Sequence, residues 1–386
     1  MNCRVCFIGG ARYSKPLDET QDKKFRALRE LGEIYVIGFS AHGPGTCFQQ
    51  QASFCLLPRF RSPVLRYAAM ALVGTFLALR LILRRKVNIL VAQSPYEGAV
   101  AACAKILAGW CRRRSGLVVE SHGDFERALF LQRRVLLPTP YRLVMRWAAG
   151  FAFRNADALR SISRSVSRQL RRWDPAKPVV QFPAWTDIEV FKQARKGAPP
   201  RSEAILYAGV LTPLKGIHLA LEAFAQMAPS HPSWRFWIVG EPIDARYSRS
   251  LMERAEKRGL SRRVRFFGHL PQRDLARRMA RARLLVLPSQ IEGLGRVVIE
   301  AMASGLAVVA SRVGGLPEIV RHDVNGLLFD PGDLEALVGS LSRLMADPSE
   351  VSRLAQQAVR DAEGLCSPES YLAGYRRLFG LLGTEY

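Results

Sequence analysis

The sequence predicts an α/β protein built from two Rossmann-like domains, and three observations carry that prediction. At 386 residues the chain exceeds what one hydrophobic core usually organises. Short apolar runs of strand composition alternate with helical stretches along most of its length. Between residues 182 and 200 the composition turns to Pro, Lys and Gly, in FPAWTDIEVFKQARKGAPP, which reads as a connection between domains. The expected division is a first domain over 1–183, a linker over 184–200 and a second domain over 201–367, followed by a terminal helical stretch over 368–386.

The elements follow in order. Cys3 to Ile8 (CRVCFI) is the first strand, Thr20 to Leu31 a polar helix and Glu33 to Ile37 the second strand. A segment rich in Gly, Pro and Gln, Ser40 to Gln51, is expected to be a loop. Asn88 to Ala92 and Leu117 to Glu120 are further strands, each followed by a turn and a helical stretch. The second domain opens with the strand Ala204 to Ala208 and continues through Arg235 to Val239 and Val264 to Phe267.

Tyr67 to Leu83 (YAAMALVGTFLALRLIL) is apolar except for Arg80, with Arg66 before it and Arg84, Arg85 and Lys86 after it. A spanning helix takes about 20 apolar residues, and the uncharged part ends at Leu79, just short of that. Two readings stand: a buried crossover helix of the first domain, or a helix docked on a membrane surface with its basic flanks at anionic headgroups. Tyr141 to Arg154 (YRLVMRWAAGFAFR) repeats the mix of Trp, Phe and Arg and can serve the same surface.

Lys plus Arg number 57 against 33 Asp plus Glu, a formal charge of +24, which implies a partner that is acidic: nucleic acid, anionic lipid or a phosphorylated substrate. The basic residues are spread through helices and flank apolar runs, without basic tails or the signatures of RNA-binding modules, so nucleic acid is not expected as a partner. Seven scattered cysteines do not suggest a disulfide framework. The Cys3-x-x-Cys6 pair lies within the first strand and has no second pair to complete a zinc site, so buried free thiols are expected. The N-terminus passes straight into that strand without the charged region, apolar stretch and cleavage site of a secretory signal, and a cytosolic location is expected.

The most informative stretch is Ser289 to Val320, SQIEGLGRVVIEAMASGLAVVASRVGGLPEIV. The apolar run Leu284 to Pro288 precedes it, Gly293 and Gly295 flank Leu294 in a tight turn, and Arg296 to Ser304 has helical composition ended by Gly305. A second strand follows at Leu306 to Ala310. This order places a helix N-terminus at the carboxyl edge of a parallel sheet, where free N–H groups and the helix dipole favour an anion such as diphosphate. Glu300, in the first two turns, can accept hydrogen bonds from a vicinal diol, while Glu292 on the preceding loop reaches another part of the same ligand. Two acceptors and a positive helix end suit a ribose, a diphosphate and a sugar.

This stretch, with Gly314, Gly315 and Glu318 of GGLPE, resembles the C-terminal signature of glycosyltransferase family 4, and the similarity extends over most of the chain. The resemblance implies the GT-B fold: two facing Rossmann-like domains with a cleft between them, the first binding acceptor, the second binding a nucleotide-sugar, and the terminal helix returning to the first domain. It also implies that Glu300 holds the ribose hydroxyls and that Glu292 contacts hydroxyls of the transferred sugar. Lys215, in YAGVLTPLKGI, matches the lysine that neutralises the donor diphosphate. The glycine of that motif is Gly209, but the arginine that normally follows it is here Val210, and Arg296 is the candidate substitute for the missing charge.

His122, in VVESHGDF, follows a strand and matches the position that contacts the donor sugar, with Asp124 available to orient it or to bind acceptor. Gly9 and Gly10, in IGGARYSK, form a candidate glycine loop that lets the backbone approach the donor while Arg12 and Lys15 face an acidic acceptor. No metal ligand cluster or DxD site stands out, so no cofactor or metal is expected. The expectation is a retaining, metal-independent hexosyltransferase. It uses a UDP- or GDP-sugar and a lipid-linked or polysaccharide acceptor, for cell-envelope or exopolysaccharide synthesis, at the inner face of the cell membrane. Two other readings stay open: a nucleotide-sugar 2-epimerase on the same fold, and a non-catalytic scaffold binding sugar or membrane.

Overall fold

The computed structural model describes residues 3–126 and 138–383. The chain divides into two compact units, the first made of Met1–Trp185 with Pro368–Tyr386 and the second of Thr186–Ser367.

In the first unit the strands are β1 (Arg4–Tyr13), β2 (Glu33–Ser40), β3 (Thr46–Gln50), β4 (Ala52–Leu57), β5 (Ile89–Ala92), β6 (Gly116–Ser121), β7 (Ala158–Ser161) and β8 (Val179–Gln181). Among the described residues they form one sheet in the order β3-β4-β2-β1-β5-β6-β7-β8. Every pairing is parallel except β3 with β4. The central strands are buried on both faces, which accounts for their unbroken apolar composition. The antiparallel β3 falls in the segment expected to be a loop. Its TCFQQ alternates only weakly, and pairing with the apolar β4, including Phe48 stacked on Phe54, makes it a strand.

Helix α1 (Glu19–Leu28) buries Phe25 and Leu28 and is capped by Asp18, whose carboxylate accepts from Gln21 N. The continuous helix α2 (Pro63–Arg85) contains π-type turns at Met70–Gly74. It is long and apolar enough to cross a membrane by length and composition, more than the count of uncharged residues suggested. Only one stripe of it, Met70, Gly74, Ala78 and Ile82 at intervals of four, turns inward. Val64, Leu65, Leu72, Val73 and Phe76 stay exposed, so the buried-crossover reading holds for a single stripe and fails for the rest. α2 packs on α3 (Pro95–Trp110), which packs in turn on α4 (Pro138–Asn155). There Leu143, Val144 and Trp147 are also exposed.

Helix α5 (Arg164–Trp173) completes the run, and the terminal helix, Pro368–Gly380, joins this unit through Tyr371, Tyr375 and Phe379. Tyr375 meets Phe7 of β1 edge-on, and Phe182 lies against both tyrosines.

The second unit holds β9 (Ala204–Ala208), β10 (Arg235–Val239), β11 (Val264–Phe266), β12 (Leu284–Leu287), β13 (Ala307–Ser311) and β14 (Leu327–Phe329). Their order is β11-β10-β9-β12-β13-β14, all parallel. The segment expected to be a linker is partly helical: α6 (Glu189–Lys196) buries Phe191 and packs on α9 (Gln272–Arg281). One buried aromatic on an otherwise charged helix is enough to fix it there, so the connection is shorter than its composition suggested. Between them in sequence lie α7 (Ile217–Met227) and α8 (Ala245–Lys257). All seven cysteines are free thiols, but Cys47, Cys103 and Cys111 are exposed, against the expectation of burial, because they sit on an edge strand and on the outer side and end of α3.

Candidate functional site

In the second unit the functional side chains come from loops at the carboxyl ends of β9 and β12. After β9 the chain makes one turn of 3-10 helix, Pro213–Lys215, and enters α7. After β12 it runs through Ser289 and Glu292 into α10 (Arg296–Ala303), whose N-cap is Gly295 at φ +81. The backbone ties the two loops together, Gln290 N donating to Leu214 O at 2.8 Å. In that frame Lys215 Nζ donates to Glu292 Oε1 at 2.5 Å, and Ser289 Oγ donates to the same oxygen at 2.9 Å. Both charged side chains are mostly covered, 22% and 10% exposed, so neither charge is fully hydrated.

The GGLPE turn buttresses Glu292 from behind. Gly315 N donates to Gly293 O at 3.0 Å, and a Cβ on Gly314, at φ +56, would stand 1.8 Å from the Glu292 carbonyl oxygen. Only glycine fits there, in conformation and in space.

Glu300 lies one turn into α10 and is 9% exposed. Burial pushes its carboxyl up to about 7, opposed by the Arg296 guanidinium, whose Nη2 lies 3.7 Å from Oε1. Among the described residues no side chain caps the N-terminus of α10 and its first turn carries no acidic residue, so a positive helix end lies beside a recessed carboxyl. Leu294 is buried and holds the turn, next to Gly293 and Gly295.

Lys215, Glu292, Gly293, Leu294, Gly295, Arg296 and Glu300 thus occupy one neighbourhood of the second unit. Gly209 follows β9, and the Val210 carbonyl accepts from Tyr207 Oη at 3.0 Å, with the Val210 side chain part-exposed. Arg296 faces Glu300, and its guanidinium is about half exposed.

The first unit places the remaining residues. Gly9 and Gly10 lie within β1, in an irregular stretch between Ile8 and Arg12, and not in an open loop. A Cβ on Gly9 would stand 2.1 Å from Gln93 Oε1 and 3.1 Å from Gln93 Cβ, so β1 lies close against the segment after β5 at this point. His122 follows β6, 40% exposed. Its Nε2 lies 2.9 Å from Glu120 Oε2, while Asp124 accepts from Gln169 Nε2 at 3.0 Å, so the carboxylate beside the imidazole is that of Glu120.

Glu120 was passed over because it closes an apolar strand; a carboxylate in such a run is itself the signal, since it stays buried only with partners. Those partners are Arg160 Nη1 at 2.8 Å and Tyr375 Oη at 2.6 Å, both on Oε1. Ser289 was missed too, and a single serine beside a glutamate gives no sequence signal.

Comparison with known proteins bears on the family and the fold. The glycosyl transferases group 1 profile matches residues 190–361, and the Glycosyltransferase Family 4 profile matches 25–190. D-inositol 3-phosphate glycosyltransferase of Segniliparus rotundus is 31% identical over 214 residues, 53% of this chain and 47% of that protein. Glycogen synthase of Mycobacterium tuberculosis is 34% identical over 154 residues, 40% of this chain and 36% of that protein. The chain aligns with about half the length, or less, of these curated relatives. Sucrose-phosphate synthase of Thermosynechococcus elongatus superposes with a TM-score of 0.77 at 20% identity, covering 98% of this chain and 99% of that one. Anabaena HepE in complex with UDP does so at 0.73 and 21% identity, covering 98% and 99%. These likenesses fix the GT-B fold.

Proposed function

Because the chain belongs to the group 1, family 4 glycosyltransferases, matched in both halves, we propose that it is a retaining, metal-independent hexosyltransferase acting from a UDP- or GDP-sugar. The observation that carries this reading is the convergence of Lys215, Glu292 and Glu300 around the N-terminus of α10. Glu300 accepts from the ribose diol, Lys215 and the helix amides meet the diphosphate, and Glu292 turns to the hydroxyls of the sugar. That solved structures of the same fold carry UDP or UDP-glucose supports a uridine donor.

As the bond to the diphosphate breaks, charge develops on the leaving oxygen, and Lys215 with the α10 amides is positioned to stabilise it. The acceptor hydroxyl attacks the oxocarbenium-like carbon from the face the diphosphate leaves, and a diphosphate oxygen takes its proton. Configuration is then retained without a protein nucleophile. Glu292, engaged by Lys215 and Ser289, is assigned to hydroxyl contacts instead of covalent catalysis.

The acceptor is lipid-linked or a growing polysaccharide, reached at the cytoplasmic face of the membrane. Exposed Leu72, Val73 and Phe76 on α2 and Leu143, Val144 and Trp147 on α4 supply apolar contacts, and Arg84, Arg85 and Lys86 supply charge for anionic headgroups. The test is the anomeric configuration of the product by proton NMR, with EDTA present. An α-linked donor gives an α-linked product at an undiminished rate. A β-linked product, or loss of activity to EDTA restored by Mg2+, would refute the proposal.

A further inference from the structure

The sheet of the first unit carries, at the carboxyl ends of β6 and β7, an ionic cluster that donor chemistry in the second unit does not require. Glu120 and Arg160 stand on neighbouring strands in register, each about 1% exposed, with Arg160 Nη1 2.8 Å from Glu120 Oε1. Arg160 also donates to the Pro183 carbonyl at 2.9 Å, and its guanidinium lies 3.9 Å from the centre of the Phe182 ring. Tyr375 of the terminal helix donates to Glu120 Oε1 at 2.6 Å.

Burial alone would raise the Glu120 carboxyl. Arg160, His122 and Tyr375 outweigh burial and hold it well below the usual carboxylate range. The other charged or titratable groups facing it are Lys24 on α1, Tyr13 on β1 and Tyr371 on the terminal helix.

Oε1 is thus saturated by two donors, and Oε2 is left for His122 Nε2 at 2.9 Å. An ionised carboxylate only accepts, so Nε2 must carry a proton. This fixes the ring from behind and leaves Nδ1 for another group, on a side chain that is 40% exposed. The second oxygen reaches out of the core to the one histidine at this strand end.

We propose that Glu120 is a positioning residue: it holds His122 with Nε2–H donated inward and Nδ1 presented, at the carboxyl end of β6, to a substrate hydroxyl. The part concerning substrate rests on the glycosyltransferase reading; the tautomer does not. The arrangement resembles the way carboxylates orient ligating histidines, where removing the carboxylate typically costs about 10- to 100-fold in function.

The test uses the full chain, Glu120→Gln, and the pair Glu120→Leu with Arg160→Leu, which removes both buried charges together so that neither is stranded. Three readouts are taken with UDP and UDP-glucose as probes. First, nitrogen-15 NMR of His122 shows an Nε2-bound proton protected from exchange in the parent chain and lost in the Leu/Leu variant. Second, UDP affinity is unchanged, while kcat for sugar release or transfer falls about 10-fold or more. Third, in a His122→Ala background the Leu/Leu substitution costs little further in kcat, since the effect passes through His122.

A protected proton that survives loss of Glu120, or one carried on Nδ1, would overturn the proposal. So would an undiminished penalty in the His122→Ala background. If the parent chain turns over no nucleotide-sugar, the glycosyltransferase reading fails, and the NMR result still decides whether Glu120 sets the tautomer.

Discussion

Lys215 and Glu292, 77 residues apart in sequence, meet at 2.5 Å. On the proposed reading, the cation assigned to the diphosphate is thus paired with the anion assigned to the sugar. On that reading donor binding parts them, the diphosphate taking Lys215 and the sugar hydroxyls taking Glu292. Removing either partner alone strands the other in a mostly covered site. Lys215→Met should lower kcat/KM by about 10²- to 10³-fold, in the range for lost transition-state charge stabilisation. Lys215→Met with Glu292→Gln should unfold at a higher urea concentration than Lys215→Met alone. Steady-state kinetics and urea titration of the parent chain and the two variants check this.

Glu300 gives a pH prediction. Burial raises its carboxyl from 4.5 to about 7 in the folded chain. The sign follows: the group contributes stability fully present below about pH 4.5, and this is lost as pH rises through about 7. Glu300→Gln, which cannot ionise, should gain stability over the parent chain between pH 5 and pH 8 by about 2–3 kcal/mol. Equilibrium unfolding at the two pH values measures the difference.

Gly314 should not tolerate a side chain. With φ at +56 and the Glu292 carbonyl 1.8 Å from a would-be Cβ, Gly314→Ala must push the GGLPE turn off the Glu292 loop. A loss of about 2–4 kcal/mol is expected, with weaker UDP binding. Gly332→Ala, whose φ is +87 but whose Cβ would meet nothing within 4 Å, is the control and should cost only the backbone strain.

Val210 stands where the family places an arginine, and its side chain is 38% exposed. Val210→Arg should tighten UDP binding about 3- to 10-fold, the effect of one added charge-assisted contact to phosphate, and the gain should shrink as salt is raised. Calorimetry at two ionic strengths checks both points.

The apolar helices predict a separable membrane phenotype. Leu72→Ser with Phe76→Ser and Trp147→Ser should reduce binding to vesicles containing anionic lipid by at least about 10-fold, because exposed apolar area is lost. Thermal stability should stay unchanged, since none of the three is buried. Vesicle sedimentation with a parallel melting curve reads both.

Much of the fold was legible in sequence because parallel strands buried on both faces leave unbroken apolar runs. Ala204–Ala208 and Arg235–Val239 match the expected bounds residue for residue. What escaped depended on partners remote in sequence. Thr46–Gln50 is a strand only because β4 lies beside it, and Glu189–Lys196 is a helix because α9 buries Phe191. In the candidate site the glycine turn and its glutamates declared themselves through spacing. The Lys215–Glu292 pairing and the Glu120–Arg160–Tyr375 cluster, the latter spanning 255 residues from Tyr375 to Glu120, are products of the fold. Gly9 and Gly10 lie within β1 where a loop was expected, because glycine serves an irregular strand as well as an open loop.

The most direct test is nucleoside diphosphate release from a panel of UDP- and GDP-sugars by the parent chain, Lys215→Met and Glu300→Ala. The account predicts release from one nucleotide class by the parent chain, reduced about 100-fold or more in Lys215→Met and clearly weakened in Glu300→Ala through loss of donor affinity. Release that proceeds equally in all three proteins would contradict the assignment of the donor to this site, and no release from any donor by the parent chain would contradict the proposed activity.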